Sequence, residues 1–505
     1  MDSRPLPMIL AIFILFSSSA AGRSSPAAAN GSEIFYANNN NNGAASFDYK
    51  DALSKAILFF EGQRAGKLPS SQRVKWRGDS ALDDGKPEKV KLSGGYYDAG
   101  DNVKFTWTMA FSVGLLSWSA IEYEGNIVLA GEMRHLREAI QWGSNFLINA
   151  HVTSKGSTLA FYAQVGEGTA DHNCWERPEG MDTPRTLYKI TPSSPGTELA
   201  AEAAAALAAA SVVFQKSNPK YSTKLLQHSK LLFAFADQNR GTFSLSSPFY
   251  TSYSGFQDEL VWAAAWLHKA SGDGYYLDYV IKNQDSSHSV TEFSWDNKFA
   301  GAQTLLANEY YAGNKNLEKF KNDAEAFVCG LMPASGSTQI HTTPGGLLFT
   351  RDSSNLQYTA GGTMILFMYA RMLDNHRIAA GLHCPSATFS SSQIKSFAKS
   401  QVDYILGNNP NKMSYMVGFG SSYPKQLHHR GSSIPSIYKL RERVECDPGK
   451  VWFNSPSPNP NLHTGAIVGG PDGNDHFTDV RSSYSQMEPT TYMNAAFVGS
   501  VAALQ

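Results

Sequence analysis

The chain has 505 residues, of which 42% are hydrophobic, 12% aromatic and 17% charged, and its formal net charge is −1. This composition supports a large apolar core and excludes an intrinsically disordered chain. The near-neutral charge lacks the basic footprint of proteins that bind nucleic acids or anionic membrane surfaces, so we expect neither partner.

The N-terminal segment has the pattern of a secretory signal peptide. An apolar run from Met8 to Phe16 is followed by small residues, with cleavage expected near Ala21. The run is too short to cross a bilayer as a helix, although an uncleaved anchor is an alternative. We therefore expect a signal peptide over residues 1–21, a flexible leader over 22–46, and a secreted, extracellular mature protein without a membrane segment.

From Phe47 onwards, helical patterns alternate with loops rich in Gly, Pro, Asn and Asp. No linker or fixed-period repeat interrupts them, so we expect an all-α fold in a single domain over residues 47–505. The predicted helices are Tyr49–Arg64, Met109–Tyr123, Ala130–Asn149, Thr197–Gln215, Tyr221–Gln238, Gln257–Ala270, Gly272–Lys282, Lys298–Ala312, Leu317–Cys329, Ala360–Asn375, Gln393–Leu406 and Thr490–Ala503.

Two aspartates stand three residues apart in Asp98-Ala-Gly-Asp101, a segment flanked by glycine and aromatic residues. Neighbouring carboxylates raise one another's pKa unless hydrogen bonds hold both ionised. Such a pair suits a base that fixes and deprotonates a water molecule. Taken alone, the same spacing also fits an Asx-type turn or a cation site.

A third carboxyl group complements this pair near the end of the chain. Glu488 stands among small and aromatic residues, with Asp479 shortly before it. An apolar pocket would raise the pKa of Glu488 and keep it protonated as a general acid. Together with Asp98 and Asp101 it supplies the acid and the base that hydrolysis needs.

Several loop residues are candidates for binding substrate. The aromatic faces of Trp175 and Trp295 could stack on sugar rings, although core packing explains many tryptophans equally well. His172 shares a loop with Trp175, and His428 fits either an acid, base or donor role or a structural one. Arg430 offers a rigid fork of donors for carboxylates or paired hydroxyls.

Four cysteines follow the predicted signal peptide: Cys174, Cys329, Cys384 and Cys446. Their spacing matches no zinc pattern. Three pairings into two disulfides are open, and the sequence does not choose between them.

These motifs resemble the plant endo-β-1,4-glucanases (cellulases) of glycoside hydrolase family nine, from about Phe47 to the end of the chain. The residues that carry the resemblance are Phe59-Phe-Glu-Gly-Gln-Arg64, Trp76-Arg-Gly-Asp79, Gly94-Gly-Tyr-Tyr-Asp-Ala-Gly-Asp-Asn-Val-Lys-Phe105, Cys174-Trp-Glu-Arg-Pro178, Arg185-Thr-Leu-Tyr-Lys189, His428-His-Arg430 and the segment from Phe477 to Ala495. Departures from the family pattern occur at Thr106-Trp-Thr108, Ala201-Glu-Ala203 and Ser421-Ser422, and they concern substrate preference more than chemistry.

The resemblance implies an (α/α)6 barrel, six helical hairpins in a toroid, with long loops forming an open cleft. It implies inverting hydrolysis with Asp101 as the base, Asp98 as its water-holding partner and Glu488 as the acid. Asp479 would support the region of His428 and Glu488. His428, His172, Trp175 and Arg430 would line the sugar subsites, to which the loop analysis adds Trp295.

The expected function is that of a secreted endo-1,4-β-glucanase acting on cellulose or related cell-wall glucans as a monomer. No cofactor is required, although some relatives hold a structural calcium ion. Two alternatives remain: another β-1,4-glycan substrate such as mixed-linkage glucan or xylan, and a non-catalytic protein that binds wall glycans. Because the chain ends shortly after Glu488, we expect no C-terminal carbohydrate-binding module.

Overall fold

The computed structural model describes residues 47–244, 249–337 and 340–505. The predicted signal peptide and leader lie outside the described residues. The helices are α1 (Tyr49–Gln63), α2 (Thr106–Glu122), α3 (Glu124–Ala130), α4 (Met133–Ala150), α5 (Gly168–His172), α6 (Thr197–Phe214), α7 (Pro219–Gln238), α8 (Gln257–Ser271), α9 (Gly274–Lys282), α10 (Phe299–Tyr311), α11 (Glu318–Leu331), α12 (Leu356–Asn375), α13 (Ser391–Leu406), α14 (Arg430–Ser433), α15 (Cys446–Phe453), α16 (Tyr484–Met487) and α17 (Thr491–Ala502).

The strands are short and form small antiparallel sheets. They are β1 (Lys104–Phe105), β2 (His151–Ser154), β3 (Ser157–Val165), β4 (Leu187–Ile190), β5 (His341–Thr342), β6 (Leu348–Phe349), β7 (Leu382–His383) and β8 (Thr388–Phe389). Strand β3 pairs with β1, β2 and β4, with Lys104 opposite Val165 and Phe161 opposite both His151 and Ile190. Strands β5 and β6 form one hairpin, and β7 and β8 another.

Six helices form a closed inner ring. In order around the ring, α2 packs on α6, α6 on α8, α8 on α10, α10 on α12, α12 on α17, and α17 returns to α2. Each inner helix carries one outer helix: α4 on α2, α7 on α6, α9 on α8, α11 on α10, α13 on α12 and α1 on α17. This arrangement confirms the predicted (α/α)6 barrel.

The sequence of each helix explains its layer. Inner helices are buried on nearly all sides and are mostly apolar: every residue of α17 is buried, and in α6 the run from Leu199 to Ser211 is wholly buried. The alanines of α6 allow neighbouring helices to approach closely. Outer helices such as α7 bury a single stripe and expose a polar face, as expected of amphipathic surface helices.

Helix α6 is long and apolar enough by composition to cross a membrane. Its position explains that composition, because 89% of the helix is buried inside the protein. An inner helix of the ring needs an apolar surface in every direction.

All twelve predicted helices occur, and each is one of the twelve helices of the barrel. The largest shift at a start is in α12, which begins at Leu356, four residues before the predicted Ala360. Helix α2 begins at Thr106, three residues before the predicted Met109. Helix α2 directly follows strand β1 and has no side-chain N-cap, so the usual start signal is absent. The short helices α3, α5, α14, α15 and α16 escaped prediction because so few turns show no clear periodicity.

Two disulfides resolve the pairing that the sequence left open. Cys174 is bonded to Cys446, and Cys329 to Cys384. The first connects the loop after α5 to the start of α15, and the second connects α11 to the hairpin of β7 and β8. The first bond therefore fixes the loop that carries Trp175.

The close packing of the inner ring can be tested at Gly361 of α12. A Cβ atom at this position would lie 2.4 Å from the carbonyl oxygen of Phe293. We expect Gly361→Ala to destabilise the protein by about 1–3 kcal/mol, because the backbone must shift to admit the methyl group. The measurement is the melting temperature by scanning calorimetry.

The control is Gly125→Ala in α3, where a Cβ would meet no atom within 4 Å. This substitution should be neutral or stabilise the protein by up to about 1 kcal/mol through helix propensity. A Gly361→Ala protein that melts at or above the wild-type temperature would contradict the packing described for the ring.

Candidate active site

The Asp98–Asp101 turn is held against the start of α17. The N–H of Asp98 donates to the carbonyl of Val103 at 3.1 Å, which closes the turn. The carbonyl of Asp98 accepts the N–H of Thr491 at 3.0 Å. Since α17 packs against α2, the loops that precede these two helices meet at the same end of the ring.

Gly100, between the two aspartates, is where the distant segments meet. Its N–H donates to Oε1 of Glu488 at 3.0 Å, and its carbonyl accepts the N–H of Arg430 at 2.9 Å. A Cβ on Gly100 would lie 2.0 Å from the carbonyl oxygen of His428. Only glycine permits this approach without displacing the backbone.

A hydrogen-bond network behind the turn fixes it further. The side-chain amide of Gln63 donates to the carbonyls of Tyr97 and Ala99 at 3.2 and 2.7 Å. Its oxygen lies 2.7 Å from Nε2 of His429 and 3.0 Å from Nε2 of His463. The amide thus connects the aspartate turn to the chain that follows His428.

Asp98 is buried and bound by two hydroxyl groups. The hydroxyl of Thr108 donates to Oδ1, and the phenol of Tyr250 donates to Oδ2. The phenol oxygens of Tyr250 and Tyr492 are 3.3 Å apart. These bonds fix the plane of the Asp98 carboxyl.

Asp101 is equally buried but has fewer hydrogen-bond donors. Its Oδ1 lies 3.4 Å from the N–H of Ala99, and its Oδ2 lies 3.9 Å from Nε2 of His172. The carboxyl of Asp171 is a close neighbour, and its repulsion adds to burial in raising the pKa of Asp101. Asp101 is therefore the less constrained of the two aspartates.

Burial and mutual repulsion govern the protonation of the three carboxyls. Burial raises the pKa of Asp98 to about 7 and holds the pKa of Asp101 well above its usual range. Burial also raises the pKa of Glu488, while the N–H of Gly100 opposes this rise. Two buried carboxyls and the partly buried Glu488 resist simultaneous ionisation, so the cluster retains a proton near neutral pH.

A cleft of about 660 Å³ opens beside Glu488. The predicted residues His172, Trp175, His428, Arg430 and Glu488 all contribute to its walls. Tyr484, from the predicted segment around Glu488, also lines the cleft, together with two aromatic residues that the sequence did not single out, Phe249 and Phe453. Tyr484 is 62% exposed and offers a flat apolar face to a ligand.

Arg430 is a buried wall residue whose donors are largely used by the protein. Its Nε donates to the carbonyl of Cys174, Nη1 to that of Gly100 and Nη2 to that of Asp171, at 2.9–3.1 Å. The guanidinium also lies 4.8 Å from the ring centre of Trp175. Arg430 therefore joins the aspartate turn to the loop of His172 and Trp175.

His428 lies at the edge of the cleft as a neutral imidazole. Its Nδ1 is 2.8 Å from the carbonyl of Arg481, so Nδ1 carries the proton and Nε2 is left as an acceptor. Burial, followed by the charge of Arg430, lowers the pKa of His428 to about 4. The ring of Trp175 packs edge-on against it, with the ring centres 5.0 Å apart.

Besides Asp98 and Asp101, two predicted site residues lie outside the cleft walls: Asp479 and Trp295. Asp479 accepts the N–H groups of Lys425 and Gln426 at 2.7 and 2.9 Å, just before His428. Trp295 packs edge-on against Tyr250, with the ring centres 4.8 Å apart. Each is thus placed to act through a neighbour.

The residues that sequence reasoning missed are the partners of Asp98. Tyr250 was visible only as one of several clustered aromatic residues, far from the aspartates in sequence. Thr108 lies closer to the aspartates in sequence, a few residues after Asp101. The local sequence around Tyr250 or Thr108 does not predict a hydrogen bond to Asp98.

The side-chain ligand atoms of Asp101, Asp171 and His172 lie within 4.8 Å of one another. Asp171 already accepts the N–H of Asn102 and lies 3.5 Å from Nη2 of Arg430. Since Asp101 is one of its members, the cluster is part of the carboxyl site described above. A second cluster includes Cys174 and Cys446, whose sulfurs form a disulfide and offer no thiolate.

The sequence matches a family of glycosyl hydrolases and individual endoglucanases. The sequence model of the family described as Glycosyl hydrolase family 9 matches residues 49–501. An endoglucanase of Phaseolus vulgaris is 65% identical over 460 residues, covering 91% of this chain and 92% of the relative. Endoglucanase 18 of Arabidopsis thaliana is 61% identical, with 91% and 95% covered.

Solved structures agree with the sequence relatives. The endoglucanase of the termite Nasutitermes takasagoensis superposes with a TM-score of 0.81 at 39% identity, covering 91% of this chain and 99% of the termite chain. A cellulase of C. cellulolyticum in complex with cellobiose gives 0.77 at 30% identity, with 91% and 99% covered. The match of the family model over nearly all of the barrel and the identity to these relatives show that the chain belongs to glycosyl hydrolase family 9.

Proposed function

We propose that this glycosyl hydrolase, an endo-1,4-β-glucanase, cleaves internal bonds of cellulose or a related cell-wall glucan with inversion at the anomeric carbon. One observation carries the proposed roles: the Glu488 carboxyl is bound to the N–H of Gly100, between Asp98 and Asp101. Glycoside hydrolysis needs one protonated and one ionised carboxyl group. The three neighbouring carboxyls supply both kinds of group beside one cleft.

Each carboxyl has a distinct task in the proposed reaction. Glu488 gives its proton to the departing glycosidic oxygen as the bond to the anomeric carbon breaks. A water molecule held by Asp98 attacks that carbon from the opposite face and gives a proton to Asp101. The reaction consumes one water molecule. Proton exchange with solvent then removes the proton from Asp101 and returns one to Glu488.

Position at the cleft suits Glu488 to the acid role, since burial raises the pKa of all three carboxyls. The raised pKa keeps its proton at a pH where an exposed glutamate would be ionised. Glu488 also faces the cleft, whereas Asp98 and Asp101 lie behind it. Acid–base hydrolysis of this kind uses no catalytic cofactor, and the structural calcium ion stays a prediction.

The cleft supports a β-glucan substrate. Trp175, Phe453 and Tyr484 provide aromatic surface beside Glu488, and His172 and His428 provide polar atoms. The similarity to a cellulase solved with cellobiose supports a β-1,4-linked glucan. Asp479 and Trp295 would assist through the chain before His428 and through Tyr250.

We further propose that the enzyme acts outside the cell, in the plant cell wall. The pattern of residues 1–21 and two disulfides support this location, because disulfides persist in oxidising compartments. Action as a monomer stays a prediction.

Removing either proton-transfer group should abolish activity. We expect Asp101→Asn and Glu488→Gln each to lower activity by at least ~10²-fold, because each keeps the shape of the side chain and removes the proton transfer. The measurement is the loss of viscosity of a soluble cellulose derivative.

The matched control is Asp83→Asn, which makes the same chemical change at an exposed carboxylate paired with Lys86. It should leave the rate unchanged. Near-normal activity of Asp101→Asn or Glu488→Gln would overturn the role assigned to that residue. Faster hydrolysis of xylan or mixed-linkage glucan than of cellulose would move the substrate to the alternative class.

The stereochemistry of the product tests the mechanism separately from the roles of single residues. Direct attack by water on a β-linkage yields the α-anomer first. Proton NMR during the first turnovers of a cello-oligosaccharide should therefore show the α-anomer before mutarotation. An initial β-anomer would indicate a retaining reaction with a covalent intermediate.

A further inference from the structure

A buried threonine touches the carboxyl site without belonging to the acid–base set. Thr108 lies in the first turn of α2 and is fully buried. Its Oγ1 donates to Oδ1 of Asp98 and lies 3.2 Å from the carbonyl oxygen of Phe105.

The hydroxyl of Thr108 can serve both protonation states of Asp98. An ionised carboxylate only accepts hydrogen bonds, whereas a hydroxyl both donates and accepts. When Asp98 is ionised, Thr108 donates to it. When Asp98 is protonated, its O–H can donate to Oγ1, and Thr108 can turn its own proton to the carbonyl of Phe105. Donation to the ionised form favours that form.

The hydrogen bond from Thr108 matters because other groups around Asp98 oppose its ionisation. The carboxyls of Asp101 and Glu488 repel a charge on Asp98. Tyr250 donates to the opposite oxygen, and Tyr492 lies behind Tyr250. Apart from Tyr250, Thr108 is the side chain whose hydrogen bond lowers the pKa of Asp98, against the larger effect of burial.

We propose that Thr108 is a positioning residue for hydrolysis, which orients the Asp98 carboxyl and keeps it ionised so that it holds the attacking water. The inference rests on the proposed role of Asp98 in the reaction. Thr108 itself is fully buried and does not line the cleft. It acts through Oδ1 of Asp98, while Tyr250 fixes Oδ2.

Because the site is buried, the proposal predicts the direction in which the pH profile of the rate should shift. The pKa of Asp98 is raised to about 7 even with both hydroxyl donors in place. Removing one donor from the ionised form raises this pKa further. Less Asp98 is then ionised at neutral pH, so the acidic limb of the rate profile moves to higher pH.

The test uses Thr108→Val, which keeps the branched shape and removes the hydroxyl. We expect kcat at neutral pH to fall about tenfold with little change in KM, and the acidic limb of kcat to move up by about one pH unit. Thr108→Ser, which restores the hydroxyl, should recover most of kcat and the wild-type profile. Thr108→Ala serves in place of Thr108→Val if the valine variant does not fold.

Thr106 of the same helix turn provides the matched control. It is equally buried, and its hydroxyl donates to the carbonyl of Tyr162 at 2.9 Å. Thr106→Val therefore removes a comparable buried hydrogen bond without touching Asp98. It should leave the pH profile in place, and a shift equal to that of Thr108→Val would overturn the proposal.

A double-mutant cycle separates this inference from the proposed mechanism. Because Thr108 acts through Asp98, adding Thr108→Val to Asp98→Asn should cause little further loss of kcat. Fully additive losses would overturn the positioning role. A wild-type profile in Thr108→Val beside an impaired Asp98→Asn would overturn the inference alone. Near-normal activity of Asp98→Asn would overturn the role of Asp98 and the inference with it.

Discussion

The site depends on one close contact, at the peptide of Gly100. Its N–H binds Glu488, its carbonyl binds Arg430, and its Cα faces the carbonyl of His428 at a distance that excludes a side chain. Three segments far apart in the chain meet at this residue. The contacts at this peptide therefore position both aspartates relative to the acid.

The barrel explains why these segments meet. The Asp98–Asp101 turn precedes α2, and Glu488 precedes α17, the first and last inner helices of the ring. Ring closure packs α17 against α2, so the two loops share one end of the barrel. Burial at that end raises the pKa of all three carboxyls. The same apolar inner helices that stabilise the fold thus retain the proton that an acid catalyst needs.

The barrel helices and the principal carboxyls were predictable from the sequence, because periodicity and motif spacing are local signals. The features that the sequence did not predict depend on contacts between residues that are far apart in the chain. Tyr250 and Thr108 bind Asp98 only in the folded protein, and the pairing of Cys174 with Cys446 follows from the position of α15. Arg430 was expected to offer donors to a substrate, yet its donors are largely bound to carbonyl groups.

The most direct test of the central contact is the kcat of Gly100→Ala. The added Cβ would lie 2.0 Å from the His428 carbonyl and 3.0 Å from Oε1 of Glu488, so it must move the acid relative to the aspartates. We expect kcat to fall by at least ~10²-fold, since a displacement of about 1 Å can have that effect, while circular dichroism shows that the helices are retained. A folded Gly100→Ala enzyme with the wild-type kcat would contradict the account.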